Sequence, residues 1–186
     1  MRFLVSSGPY SFPEMFAIVL FTAGLGFLLH EMSHKVVAKR FGHWAQFRIW
    51  TWGILMALFF SVLTGGSFIF AAPGAVYISP RRGTVSDSFQ ISRQENGLIS
   101  LAGPAMNVFL AGIFYAILVL RLGEIWSIVG SIGLTVNLFL AAFNMIPFSG
   151  LDGSKVLRWK VWLWAAVAIP VWVITYVILF ARIPLG

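Results

Sequence analysis

The sequence contains no cysteine, and its charged residues are scarce. Only 10% of the 186 residues are Asp, Glu, Lys or Arg, whereas 59% are hydrophobic. Without cysteine the chain can form neither disulfides nor thiolate metal sites. A soluble domain would carry about 25% charged residues. The composition therefore predicts a polytopic membrane protein that forms a single domain over residues 1–186, with no large domain outside the membrane.

Two further absences narrow the class of protein. The N-terminal stretch MRFLVSSGPYSFPEMF lacks a signal-peptide layout, because the apolar run after it continues without a cleavage-like site. No nucleic-acid-binding motif accompanies the net charge of +7. The basic residues instead lie between apolar runs, as membrane topology requires. We expect the chain to lie in the lipid bilayer and to bind no nucleic acid.

Four apolar runs are long enough to cross a bilayer, which takes about 20 helical residues. A fifth run, Gly53–Leu63, is shorter and is predicted to be re-entrant or interfacial. The four predicted spans are Pro13–Lys39, Leu98–Leu120, Ile125–Ile146 and Val161–Ile183.

Short strands are predicted beside the fifth run. Phe, Ile, Val and Tyr alternate with Gly and Pro breaks between Ser67 and Ser92, and AQFRIW alternates weakly. The predicted fold is thus an all-α polytopic membrane protein with four transmembrane helices. It also has a short re-entrant or interfacial segment and a small membrane-associated β-hairpin or sheet.

The distribution of Lys and Arg predicts the orientation. If Gly53–Leu63 does not cross, ten basic residues lie on one side and three on the other, which makes the first side cytosolic. If it does cross, the split is seven against six. We expect a multi-pass protein of a prokaryotic cell membrane. The ten residues are Lys35, Lys39, Arg40, Arg48, Arg81, Arg82, Arg93, Lys155, Arg158 and Lys160, and the three are Arg2, Arg121 and Arg182.

The stretch HEMSH, near the cytosolic end of the first span, matches the H-E-x-x-H signature of zinc hydrolases. Residues i and i+4 lie on one helical face, so His30 and His34 can bind one Zn²⁺ per chain. Glu31 then lies beside the metal as a candidate catalytic base. The alternative is a pair of interfacial histidines that reach water, which we consider much less favourable because such groups are costly in a membrane.

A catalytic zinc usually has three protein ligands and one open position. Asp152 is the remaining acid at the right depth, because Glu14 and Glu124 fall at the outer ends of spans and the other acids lie between strands. His43, after the helix end, is more simply an interfacial residue. The third span must run in the same direction as the first to bring Asp152 to the depth of the histidines. This requires an odd number of crossings between these two spans, and Leu98–Leu120 supplies one. By itself Asp152-Gly would be read as a turn or a helix cap.

Asn144 precedes Pro147 by about one turn and is a candidate for stabilising an oxyanion or binding substrate backbone. A helix–helix hydrogen bond explains it equally well. The stretch AGPAMN in the second span, with Gly103, Pro104 and Asn107, is interpreted first as close helix packing.

HEMSH, GPAMN and NMIPFSGLDG together resemble the site-2 protease family of intramembrane zinc metalloproteases, peptidase family M50. The resemblance covers residues 14–160, the expected catalytic core, and leaves residues 161–183 as a C-terminal helix. It implies that His30, His34 and Asp152 bind zinc, that Glu31 is the base, and that the site opens toward the cytosol. The chain departs from the family at Ser154, where a second Gly is common, and has no PDZ or CBS domain.

The resemblance implies regulated intramembrane proteolysis, in which a transmembrane helix of another membrane protein is the substrate. A substrate helix must unwind first, and the strand edge near Phe68–Ile78 is a candidate for holding it in extended form. The competing interpretation is a membrane metal or ion transporter that uses the same His, His and Asp cluster. Glu31 distinguishes the two, because a carrier needs no base beside its metal.

Overall fold

The computed structural model describes residues 10–49, 51, 55, 74–80 and 91–180. Most of these residues are helical, and two short strands lie between the first two long helices. In chain order the elements are α1 (Phe12–Arg40), β1 (Trp44–Ile49), β2 (Gly74–Ser79), α2 (Arg93–Leu120), α3 (Glu124–Asn144), α4 (Asp152–Trp159) and α5 (Val161–Phe180).

Helices α1, α2, α3 and α5 are each long and apolar enough to cross a membrane. Their lengths of 29, 28, 21 and 20 residues correspond to about 30 Å or more at about 1.5 Å per residue. The prediction of four spans is therefore confirmed, and the chain is a multi-pass membrane protein. Of the fifth run, only Leu55 lies within the described residues, so its re-entrant or interfacial placement stays a prediction.

Helix α2 begins five residues before the predicted Leu98. Ser92 and Glu95 form a capping box, in which the Ser92 hydroxyl accepts from the Glu95 N–H at 3.1 Å and the Glu95 carboxylate accepts from the Ser92 N–H at 2.9 Å. These bonds satisfy orphan donors at the helix start. Glu95 thus lies in the first turn of α2, and its earlier assignment to a segment between strands was wrong.

The two strands pair antiparallel, with Phe47 opposite Val76 and Gln46 opposite Tyr77. This confirms a small β-sheet next to α1, and AQFRIW indeed supplies one of its strands. Within the stretch between Ser67 and Ser92, the other strand is β2, and residues 67–73 and 81–90 lie outside the described part.

Helices α2 and α3 pack closely through a small-residue contact. The ring of Phe114 lies against Gly133, where a methyl group would overlap it. Around this contact the two helices bury Leu110, Leu118 and Leu138. Small residues allow such close approach in membrane bundles.

Helix α3 ends at Asn144, because Pro147 lacks an N–H and ends the helical hydrogen bonding. The carbonyls of Met145 and Ala142 at this end accept hydrogen bonds from the indoles of Trp164 and Trp172, each at 2.9 Å. Helix α5 thereby satisfies acceptors that the end of α3 leaves open. A short helix, α4, which the sequence interpretation did not include, follows the break and begins at Asp152.

Candidate metal centre

Three predicted ligands meet in the buried interior between α1, α2 and α4. One oxygen of Asp152 lies 3.3 Å from Nε2 of His30 and 3.1 Å from Nε2 of His34. All three residues are buried, and their ligand atoms lie within 4.8 Å of one another. The i,i+4 spacing on α1 and the single crossing, α2, between α1 and α3 account for this juxtaposition.

A network of amides orients His30. Its Nδ1 donates to Oδ1 of Asn107 at 2.6 Å. The amide nitrogen of Asn107 donates to the Gly26 carbonyl at 3.1 Å and to Asn137 at 3.0 Å, and Asn137 in turn donates to the Gly133 carbonyl at 2.8 Å. Carbonyls at both ends of the network fix the direction of each amide, so the proton of His30 is held on Nδ1.

His34 is oriented in the same way by the backbone of α2. Its Nδ1 lies 2.7 Å from the Ile99 carbonyl, which can only accept. In their neutral forms both imidazoles therefore present a lone pair at Nε2 toward the carboxylate of Asp152. Three acceptor atoms, the two Nε2 atoms and the carboxylate oxygen, thus converge on one point, where a divalent cation could bind all three. Hydrogen-bond partners on the other ring nitrogen, Nδ1, are typical of metal-binding histidines.

Asp152 is held in its ionised form. Burial opposes ionisation, but when the histidines are protonated, the charge of His34, the hydrogen bonds from both histidines and the charge of Lys155 keep the pKa of the Asp152 carboxyl well below its ordinary value. Lys155 contacts the other carboxylate oxygen at 3.3 Å. One oxygen thus faces the histidines while the second is paired with an ammonium group.

Gly103 lies directly against the three-residue cluster. A Cβ atom at this position would lie 2.5 Å from Nε2 of His30 and 2.5 Å from Nε2 of His34. The lack of a side chain therefore keeps space open at the two nitrogens. The interpretation of Gly103 as packing between helices was incomplete, because what it packs against is the pair of candidate ligands.

Glu31 lies at the same site, and a hydrogen bond from the β-sheet holds its carboxylate. Its Oε2 accepts a hydrogen bond from the N–H of Val76 on β2 at 3.0 Å. Since the N–H groups of a strand alternate between its two edges, this bond means that Val76 presents its backbone groups away from β1. The outer edge of β2 is therefore turned toward Glu31.

A cavity of about 240 Å³ opens on this cluster. His30, Glu31, His34 and Asp152 all contribute to its lining. Asn144 lines the cavity too, and its amide nitrogen donates to the Leu140 carbonyl at 2.9 Å within α3. The amide nitrogen carries a second hydrogen that this bond does not use.

The other described acids and the third histidine lie elsewhere, and Asp87 is outside the described residues. Glu14 caps the start of α1, and Glu124 is the first residue of α3. His43 is buried next to Glu95, with 3.7 Å between its Nε2 and the carboxylate. None of these side chains lines the cavity.

Sequence reasoning did not include Asn137, and it interpreted Gly103 and Asn107 as helix packing without predicting their contacts with the histidines. A usable signal existed for the two asparagines, because an amide within an apolar span must find a hydrogen-bond partner. The partner itself lies 77 residues away in the chain for Asn107 and His30, a distance that no local pattern reports.

The fold and the cluster define a class: a helical membrane protein with a buried His, His, Asp site and a neighbouring carboxylate, which is the donor set of a hydrolytic metal enzyme. The family model of peptidase family M50 matches residues 15–130. The chain belongs to this family, and the resemblance to site-2 proteases is confirmed.

Two relatives support the assignment. A protein of Methanocaldococcus jannaschii named as a zinc metalloprotease is 39% identical over 166 residues, which span 87% of this chain and 82% of the relative. The zinc metalloprotease Rip3 of Mycobacterium tuberculosis is 30% identical over 140 residues, or 73% of this chain and 28% of Rip3. No solved structure matches the chain.

The chain is therefore a zinc metalloprotease, and the transporter interpretation is not supported. Two imidazoles and a carboxylate suit Zn²⁺. Their convergence, the fixed tautomers and the open space at Gly103 fit such an ion.

Proposed function

We propose that the chain hydrolyses peptide bonds within transmembrane segments of other membrane proteins, as in regulated intramembrane proteolysis. His30, His34 and Asp152 would hold the zinc, and Glu31 would be the catalytic base. The observation that carries the proposal is the position of this buried cluster among helices long enough to span the membrane. A protease whose site lies there meets its substrate inside the bilayer.

Zinc, when bound, polarises the scissile carbonyl and makes water more acidic. Glu31 would take the proton from the attacking water and later deliver it to the leaving amine. Its Oε2 is fixed by the N–H of Val76, so the second carboxylate oxygen is the one that we assign to proton transfer. Asn107 and the Ile99 carbonyl would keep both histidines in the tautomer that binds metal.

Asn144 would donate its second amide hydrogen to the oxyanion or to the substrate backbone. Its place in the cavity lining supports this role. The bond to the Leu140 carbonyl fixes the amide along α3, so the side chain would need little reorganisation.

Strand β2 would hold the unwound substrate by adding it as a further strand. Val76 and Ile78 line the cavity, and Val76 turns its N–H toward Glu31. Ile78, two residues further along, presents its backbone groups at the same edge. A substrate segment paired there would place successive peptide groups beside the proposed base.

An Ile78→Pro variant should test this binding mode. Proline removes the Ile78 N–H, so cleavage should be about tenfold slower, the equivalent of one lost hydrogen bond, while the zinc content is unchanged. Val76 is unsuited to this test, because proline there would also release Glu31. The control is Ile78→Ala, which keeps the N–H. Equal cleavage by the proline and alanine variants would contradict strand addition.

The active site would open toward the cytosol of a prokaryotic cell. Lys35, Lys39 and Arg40 follow the HEMSH stretch in α1, and Arg93 and Lys155 lie at the corresponding ends of α2 and α4. Positive charge at these ends supports a cytosolic location. Both named relatives come from prokaryotes.

The proposed function is tested by reconstitution of the purified chain in liposomes with a single-span substrate. We expect cuts within the span, located by mass spectrometry, that a zinc chelator abolishes and added Zn²⁺ restores. Cuts confined to segments outside the span would contradict intramembrane proteolysis. Cleavage that the chelator leaves unchanged would contradict a role for the metal.

A further inference from the structure

A polar trough leads from the metal cluster to the surface between α2 and α4. On α2, Gly103 at the cluster is followed toward the helix start by Ser100, Asn96 and Arg93. Spacings of three and four residues place these four positions on one helical face. Ser100 and Asn96 line the catalytic cavity.

Helix α4 supplies the opposite wall. Asp152 is followed at three-residue intervals by Lys155 and Arg158. A second cavity of about 280 Å³ is lined by Arg93, Asn96, Lys155 and Arg158, and we name it the cationic cavity. Asn96 and Lys155 line the catalytic cavity as well, so the two spaces adjoin.

Among the described residues that line it, the cationic cavity combines three positive side chains with no acidic one. Lys155 is paired with Asp152, and Arg158 is held by its own helix, with Nε 3.0 Å from the Ser154 carbonyl and Nη2 3.2 Å from the Ser154 hydroxyl. Within the described part of the chain, Arg93 makes no ion pair. Two of the cations are therefore oriented, and among the described residues only the Lys155 charge is paired with an acid.

The lining favours an anionic group of a polypeptide over a phospholipid as the occupant. All four lining residues among the described ones end in polar or charged groups, whereas an acyl chain needs an apolar surface. Apolar grooves occur elsewhere, for example between Leu29 and Phe109 on α1 and α2. Such a lining suits an anionic group, and the continuity with the catalytic cavity favours an anionic group that belongs to a polypeptide bound there.

We propose that the cationic cavity binds acidic side chains of the substrate segment that leaves the catalytic cavity. The protease would then select substrates with Asp or Glu close to the cleaved span. This inference rests on the proposed function, because it requires a polypeptide in the catalytic cavity. Topology alone demands basic residues near the cytosolic helix ends, but it does not demand that they converge on one space beside the active site.

The test uses fluorescence anisotropy to measure how tightly labelled single-span peptides bind to the zinc-loaded Glu31→Gln protein in detergent. Three peptides share one span and differ in both flanks, which are Asp-Asp-Asp, Gln-Gln-Gln or Lys-Lys-Lys. We expect the Asp peptide to bind about tenfold more tightly than the Gln peptide, as a few exposed ion pairs would give, and the Lys peptide to bind most weakly. Added salt should reduce the preference.

Charge reversal supplies the decisive comparison. Arg93→Glu alone should remove most of the preference for the Asp peptide, and Arg93→Glu with Arg158→Glu should favour the Lys peptide. The matched control is Lys39→Glu with Arg40→Glu, which changes the same charge at the end of α1 and should keep the Asp preference. Equal affinities for the three peptides, or an equal loss of preference in the control, would overturn the inference.

Failure of the inference is distinguishable from failure of the proposed function. Cleavage of the Gln peptide within its span by the wild-type protein reports the function and needs no acidic flank. The order of the three affinities reports the cationic cavity and needs no cleavage.

Discussion

The Glu31→Gln variant should cleave a single-span substrate about 10²- to 10⁴-fold more slowly than wild type, the range that a general base contributes. Glutamine keeps an oxygen that can accept from the Val76 N–H, so the contact with β2 should persist. It cannot take a proton from water at neutral pH. Because the three candidate ligands are unchanged, the variant should retain its zinc.

Two measurements check this expectation: initial cleavage rates in liposomes and the zinc content of the same preparations. Glu124→Gln is the control. Glu124 is the first residue of the 21-residue helix α3, whereas the metal cluster lies beyond the last residue of that helix, so the two are far apart. A cleavage rate within a few fold of wild type would rule out Glu31 as the base. Loss of zinc would instead indicate that Glu31 is a ligand.

The second large effect is expected at Gly103, where the variant Gly103→Ala adds one methyl group. That methyl would lie 2.5 Å from Nε2 of both His30 and His34, closer than unbonded atoms approach. Either the imidazoles move or α2 shifts away from α1. Both responses spoil the convergence of the ligands, so zinc affinity should fall on the order of 100-fold or more.

Gly112→Ala is a matched control in the same helix, because nothing lies within 4 Å of a Cβ placed there. It should keep zinc affinity and stabilise α2 by about 0.5–1 kcal/mol. Zinc affinity is measured by competition with a chelator, and helix content by circular dichroism in detergent. If Gly103→Ala binds zinc as tightly as Gly112→Ala, this result would contradict the close contact between Gly103 and the two Nε2 atoms.

Much of the fold could be predicted because hydrophobicity reports membrane crossing directly. The four spans and both strands follow from run length and alternation. The early start of α2 could also have been predicted, because Ser92 and Glu95 have the spacing of a capping box. Helix α4 is harder to predict, because it is only eight residues long.

The candidate site could likewise be predicted in part from the sequence. HEMSH places two candidate ligands and a carboxylate on one helix through local geometry alone, and counting crossings brings Asp152 to the same depth. What orients the ligands depends on contacts between helices, such as His30 with Asn107 and His34 with the backbone at Ile99. A single sequence gives no register between two helices, so these contacts required the structure.

The central claim is that His30, His34 and Asp152 together hold one zinc ion. Its most direct test is metal analysis of purified wild-type and Asp152→Ala protein after dialysis against a weak chelator. We predict about one zinc per wild-type chain, as three protein ligands would hold, and little or none in the variant, with the same helix content. An Asp152→Ala protein that keeps as much zinc as wild type would contradict the ligand set.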